Sequence, residues 1–210
     1  MTIDVNDMLN SILESLARVD YIPADELPNI DLYMDQVTTL MEKELAATKR
    51  YEEDKILTKT MINNYAKNNL LPPPVKKKYS KEHVLVLILI YYFKNILSIR
   101  DIEQLLKPLT DRHFHTDHPI QIDKIYEEIC SKEKSRVSHI QEDISELAAL
   151  SESMFQDALD DDRKNLQLFA FICSLSVDVY IKKLLVEKII DQLNPAEDTE
   201  KKSKKDKKKD

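Results

Sequence analysis

An all-α fold is expected from three features of this 210-residue sequence. The first is that it contains no glycine at all, where average usage is about 7%. Tight hairpins draw on glycine at positive φ, and a helix interior penalises it by about 1 kcal/mol. A chain without it is therefore suited to helices. Helix ends also commonly use glycine at C′, so another residue must do that work here. The second feature is apolar spacing of three and four residues in most segments, the period of a helix. The third is the longest apolar run, Val84 to Phe93. With the capping Ser80, Lys81–His83 and Lys94–Asn95 around it, the segment is about 15 residues long, too long for an ordinary strand.

The elements follow in order. Val5, Met8, Leu9, Ile12, Leu13 and Leu16 predict a helix over Asp4–Arg18. Asp20–Pro28, with two prolines, reads as a linker. Asn29 or Asp31 can cap a second helix carrying Ile30, Met34, Val37, Leu40, Met41 and Leu45. Residues 46–55 are highly charged and either extend that helix or loop out. A third helix starts at Thr58 or Thr60 and ends near Asn69, ahead of the Pro72-Pro73-Pro74 triplet. Lys81–Asn95 is a helix buried nearly all round, capped by Ser80. Ser98-Ile99-Arg100-Asp101 has capping-box spacing and opens a short helix to Leu106, which Pro108 stops. Residues 110–119 form a loop. Long helices follow: Gln121–Lys134; Val137–Ala158 with a heptad of apolar positions; and Arg163–Leu193. The tail after Pro195 is polar and low in complexity, hence disordered.

Apolar residues at 42% and charged residues at 33% are those of a soluble globular protein. No apolar run reaches the roughly 20 residues of a membrane span, and the acidic N-terminus does not read as a signal peptide, so a cytoplasmic protein is expected. Cys130 and Cys173 lack metal-type spacing and read as buried, reduced thiols. Without glycine there is neither a Walker A phosphate loop nor a Rossmann fingerprint. No nucleophile elbow or Cys–His pairing is evident, so no catalytic residue and no cofactor are assigned. His113, His115 and His118 share a loop with Asp111 and Asp117. The spacing fits no known zinc pattern, so this is read as a polar surface loop and no metal site is assigned.

The net charge of −7 is unevenly distributed. Lys55–Lys81 holds seven lysines and no acidic residue, and Lys201–Asp210 holds seven lysines and two aspartates. A local basic patch can attract phosphate even on an acidic chain. On a helix, Thr60, Asn63, Asn64 and Lys67 fall at i, i+3, i+4 and i+7 and form one polar stripe. Leu57, Met61, Ile62 and Tyr65 form the apolar back. Such a helix suits a major groove, where asparagine can bond adenine twice and lysine reaches guanine or phosphate. Lys59, Lys76, Lys77, Lys78 and Tyr79 would hold the sugar–phosphate backbone without reading sequence. Tyr65 would mainly pack or touch phosphate. Against this stands the ordinary reading of polar stripes and lysine runs as solvated surface.

The stretch LTKTMINNYAKNNLLPPPVKKKYSKEHVLVLILIYYFKNILSIRDIEQLL resembles the DNA-binding domain of MerR-type transcription regulators. Tyr65, Leu70, Leu71, Pro72, Tyr79, Ser80, Ser98, Ile99 and Ile102 occupy the places of that pattern. As a whole the chain resembles an uncharacterised bacterial domain-of-unknown-function family (DUF1836) carrying such a domain. The resemblance implies a winged helix-turn-helix module followed by a helical bundle, binding of double-stranded DNA, and a homodimer formed through a later helix. Asn69 stands where the pattern has glycine and can take the left-handed cap itself. Asn63 stands where the pattern has arginine. The wing lacks its usual glycine turn, so Pro72–Lys78 is expected as a stiff arm rather than a hairpin.

The expected organisation is an N-terminal helix and linker at 1–28, a MerR-like DNA-binding domain at 29–108, a helical bundle and dimerisation region at 109–194, and a Lys-rich tail at 195–210. The expected function is sequence-specific DNA binding in transcription regulation. The alternatives are a protein-binding scaffold on a helix-turn-helix fold, and a sensor whose C-terminal bundle takes a small-molecule effector of unknown identity.

Overall fold

The computed structural model describes residues 5–16, 22–134 and 136–193. In chain order the elements are α1 Val5–Leu16, β1 Leu32–Tyr33, α2 Met34–Glu44, α3 Lys59–Lys67, β2 Lys78–Tyr79, α4 Lys81–Phe93, α5 Ile99–His113, α6 Ile122–Lys134, α7 Val137–Glu152 and α8 Asp160–Leu193. Two single turns of 3-10 helix lie at Ala24–Glu26 and Ala46–Thr48. The fold is all-α, with one antiparallel pair between β1 and β2. The tail expected to be disordered lies outside the described residues.

The run Val84–Phe93 sits at the centre. Leu85, Val86, Leu87 and Ile88 are fully buried, as a helix apolar on every side requires. Its N-terminus is fixed by His83, whose Nδ1 accepts the Ser80 N–H at 3.0 Å. This is a capping box with histidine in the place of glutamate.

The core closes around α4 from both ends of the sequence. Ile22, Ala24 and Leu27 are buried, so the segment expected as a linker is part of the core. Tyr126 of α6 is buried and donates its hydroxyl to the Ile22 carbonyl at 2.9 Å. The core therefore runs past Pro108 and includes Ile122 and Tyr126.

Three element boundaries differ from expectation. The second helix begins at Met34, not at Asn29 or Asp31, because Leu32 and Tyr33 pair with Tyr79 and Lys78. Ile30 precedes it and is exposed. Gln36 caps the helix by accepting the Tyr33 N–H at 2.8 Å. Pro108 does not stop α5, which continues to His113 with the proline inside it. Proline removes the bond to Gln104 and costs about 3 kcal/mol. Against that, Ile102, Leu106 and Thr110 fall four apart and bury one stripe, while Pro108 faces solvent. The loop expected over 110–119 starts only at Phe114. Finally, α7 ends at Glu152, so Met154 and Ala158 of the expected heptad lie in the connection to α8. That connection turns on Phe155, at φ 55°. Gln167 pins it by donating Nε2–H to the carbonyls of Glu152 (2.6 Å) and Met154 (3.0 Å).

The helices α7 and α8 pack together, and the end of α8 returns to the core, where Ile190 is buried. No described helix is long and apolar enough to cross a membrane. Cys130 is half-buried, whereas Cys173 is exposed on α8, against the expectation of two buried thiols.

Candidate nucleic-acid interface

The helix α3 starts where its sequence allows. Thr58 is the N-cap, and its hydroxyl accepts the Met61 N–H at 3.2 Å. Ile62 and Tyr65 turn into the core with Leu57 behind them. Lys59, Thr60, Asn63, Asn64 and Lys67 are exposed on the other side. The polar stripe expected from spacing is thus one open face, about 13 Å long at 1.5 Å per residue.

Asn69 ends this helix in the left-handed region, at φ 56°. Its N–H donates to the Ala66 carbonyl at 3.4 Å, and the Leu70 N–H donates to the Tyr65 carbonyl at 2.9 Å. These are the two bonds of a Schellman motif, closed by the fully buried Leu70. Asparagine performs the cap that glycine usually provides.

Pro72–Lys78 is not the stiff arm expected from the missing glycine. Val75 and Lys78 exchange backbone bonds of 3.2 and 2.9 Å, which closes a two-residue hairpin. Lys76 and Lys77 form its turn at φ 51° and 63°. Two successive positive φ values mark the type I′ turn, which matches strand twist and ordinarily selects Asn-Gly. Left-handed backbone costs a residue with a side chain roughly 1–2 kcal/mol. The base of the hairpin supplies what holds the turn: β2 pairs with β1, Tyr79 is buried, and Pro73 accepts from His83 Nε2–H at 3.4 Å.

The candidate residues accordingly divide. Tyr65 and Tyr79 are buried, and burial pushes both phenols above their ordinary pKa. Both belong to the hydrophobic core cluster. Lys59 is exposed but pairs with Asp35 at the start of α2, tying α3 to α2. Lys78 lies over the Tyr33 ring, 5.3 Å from its centroid. Lys67, Lys76 and Lys77 are exposed, with no carboxylate partner among the described residues.

Two parts of the surroundings were not evident from the sequence. The long connection from α2 to α3 is pinned rather than loose. Glu42 accepts from Lys49 and from the Ile56 N–H, which keeps its carboxyl below the usual range. Lys94 donates to the Ile56 carbonyl at 2.8 Å, and Thr48 bonds the Tyr91 hydroxyl. The second part is the base of the hairpin. His83 is buried and touches Tyr79 and Phe114 edge-on. Desolvation lowers its pKa to about 4, so it is neutral near pH 7. Ser80 Oγ lies 2.8 Å from His115 Nε2, which in turn lies 3.1 Å from Glu82.

The three histidines of residues 110–119 therefore do not converge. His113 and His118 both bond the Ile120 carbonyl, while His115 turns toward α4.

The family described as Domain of unknown function (DUF1836) matches residues 22–129. The chain belongs to this family. The matched range begins at the buried Ile22 and ends just after Tyr126, so the DUF1836 region is the core-forming unit plus the α3 face and the hairpin. It leaves out α7 and α8. No curated protein matches the chain. No solved structure matches it.

Proposed function

We propose that this DUF1836 protein is a sequence-specific DNA-binding protein acting in transcription regulation. In this reading α2 and α3 form a helix-turn-helix unit of MerR type, and the Pro72–Tyr79 hairpin is its wing. The observation that carries the reading is the exposed face of α3, where Thr60, Asn63, Asn64 and Lys67 stand together above a buried apolar back. Threonine and asparagine side chains carry both donors and acceptors, as base edges in the major groove require. The lysine segment surrounding them supports the same reading, because its Lys67, Lys76 and Lys77 are exposed with no carboxylate partner among the described residues.

The regulator acts as a homodimer, which lets two copies of α3 address two half-sites. The support for this lies on α8. Leu166, Phe169, Cys173, Val177 and Tyr180 are exposed and Leu184 half-buried. They recur at steps of three or four over about five turns, so they form one straight seam at 3.6 residues per turn. Phe169 is 64% exposed and Tyr180 60%. Closing such a stripe against a second copy removes it from water. The matching stripe on the partner is supplied by the two-fold symmetry itself.

Selection of bound sites from a random duplex pool tests the function directly. The expected result is an enriched motif with two-fold symmetry. Asn64→Ala is expected to reduce discrimination between motif and random duplex by roughly 10-fold, in the range of a lost bidentate base contact, with a smaller loss of overall affinity. Recovery of unenriched sequences overturns the reading, and equal loss on all duplexes shows that Asn64 reads no base.

A further inference from the structure

A groove between α7 and α8 is used neither by the α3 face nor by the dimer seam. Its volume is about 440 Å³. The floor is apolar: Ile140, Ile144, Leu147 and Leu150 of α7 face Leu175 of α8. Ile140 is 48% exposed and Leu150 56%, so this floor is open to water. The rim is acidic. Asp143 and Glu146 stand exposed along α7, and neither has a cationic partner among the described residues. Asp178, on the α8 side, is already paired with Lys182 at 2.7 Å. Val137–Glu152 contains no lysine or arginine that could neutralise the α7 side. Leu175, Asp178 and Lys182 fall on the side of α8 opposite the Leu166–Leu184 seam, so the dimer leaves the groove open.

An occupant of this groove must bring cations on apolar stems. Lysine has that form: its four-carbon stem covers apolar surface while its ammonium group stays at a polar rim. The same chain holds such a segment close by. Residues 201–210 carry seven lysines and two aspartates, and residues 194–200 join them to the end of α8. From Lys182 to Leu193 is about 17 Å along the helix. The joining residues reach roughly 23 Å when extended, enough to bring the first lysines back to the groove. They include Glu197, Asp198 and Glu200, which an acidic rim repels, so the lysines fit the groove and the joining residues do not. Tethering makes weak contacts count, because a short flexible linker supplies an effective concentration near the millimolar range.

We propose that the Lys-rich segment 201–210 docks in the α7–α8 groove of its own chain. Lysine stems cover the floor between Ile140 and Leu150, and ammonium groups meet Asp143 and Glu146. The segment is thereby withheld from other polyanions, and a polyanion that outcompetes the two carboxylates releases it. The inference goes beyond the DNA-binding reading and does not depend on it.

Carbodiimide cross-linking of the full chain tests the docking, because it joins an ammonium group to a carboxylate only where the two touch. At low salt the expected products join lysines of 201–210 to Asp143 or Glu146. Their yield is expected to fall about 10-fold at about 1 M salt, where charges are screened beyond roughly 3 Å. Mixing isotope-labelled and unlabelled protein separates links within one chain from links between copies. Links spread over carboxylates across the body overturn the site, and links between copies overturn docking within one chain. Retention on heparin measures release. Asp143→Asn with Glu146→Gln is expected to elute at higher salt than a control with the same net charge. That control is Glu127→Gln with Asp157→Asn, two exposed carboxylates that do not line the groove. Equal elution of the two variants overturns the withholding of the segment. Neither measurement uses duplex DNA, so failure here and failure of the DNA-binding reading are separate results.

Discussion

The helices α4 and α8 are both rich in apolar residues, and their fates are opposite. Of the ten consecutive apolar residues of α4, seven are buried in the core and Leu89, Tyr92 and Phe93 are half-buried against it, with Leu85, Val86, Leu87 and Ile88 fully buried. Along α8, Phe169, Val179, Tyr180, Ile181 and Leu185 are largely exposed. The difference lies in what surrounds each helix. β2 and α6 reach α4, the N-terminal segment packs on α6, and the ends of α4 are tied by Ser80–His83 and by Lys94. The helix α8 has α7 along part of its length and α5 near its end. Apolar content alone therefore does not decide burial. A helix becomes a core when the chain supplies neighbours for every side, and otherwise it retains a surface for something else.

Three substitutions break or sharpen this contrast, and they are expected to differ in size. The largest effect belongs to α4. Leu87→Ala leaves a cavity at the centre and is expected to cost about 2–5 kcal/mol in denaturant unfolding. A loss under about 1 kcal/mol would show that α4 is not the centre of the core.

The next effect is set by pH, at the capped end of α4. Burial lowers the His83 pKa to about 4 from its ordinary 6.5. The folded chain holds this ring neutral while the unfolded chain protonates it, so stability is full above about pH 6.5 and falls as the pH drops toward 4. The total is about 3 kcal/mol by linkage. Glutamine at the third position of a capping box can still accept the Ser80 N–H. His83→Gln is therefore expected to flatten stability between pH 7 and pH 4. Parallel curves for the two proteins would remove His83 as the cause.

The smallest effect on the single chain belongs to α8. Phe169→Glu with Tyr180→Glu is expected to change unfolding of dilute protein by no more than about 0.5 kcal/mol, as for exposed sites. The same variant is expected to be a monomer by light scattering at tens of micromolar, where the wild type is a dimer. A wild-type monomer at that concentration overturns the dimer.

These contrasts were unequally legible in the sequence. The open face of α3 was legible because helical spacing and the Thr58 cap fix which residues face out. The Asn69 cap was legible because asparagine is the next residue after glycine to accept that backbone. Burial of α4 followed from its length and its capping serine. The hairpin was not legible: its turn is enforced by the pairing of Tyr79 with Leu32, 47 positions earlier, and not by the turn residues. Pro108 was misread for a related reason. A local rule ends the helix there, but burial of Leu106 and Thr110 on either side carries it through. The role of His83 was hidden because a histidine just ahead of an apolar run announces neither a cap nor a contact with Pro73.

The left-handed positions have a consequence on the other side of the folding equilibrium. Asn69, Lys76, Lys77, His115 and Phe155 all adopt positive φ, and none is glycine. In the folded chain each raises the conformational energy at its turn. In the unfolded chain each also has fewer backbone states than glycine would have, so less entropy is lost when the turn forms. The two terms oppose each other at the same five residues. The glycine-free sequence thus limits the freedom of its denatured ensemble along its whole length, and it concentrates the corresponding strain in the native state at a few turns.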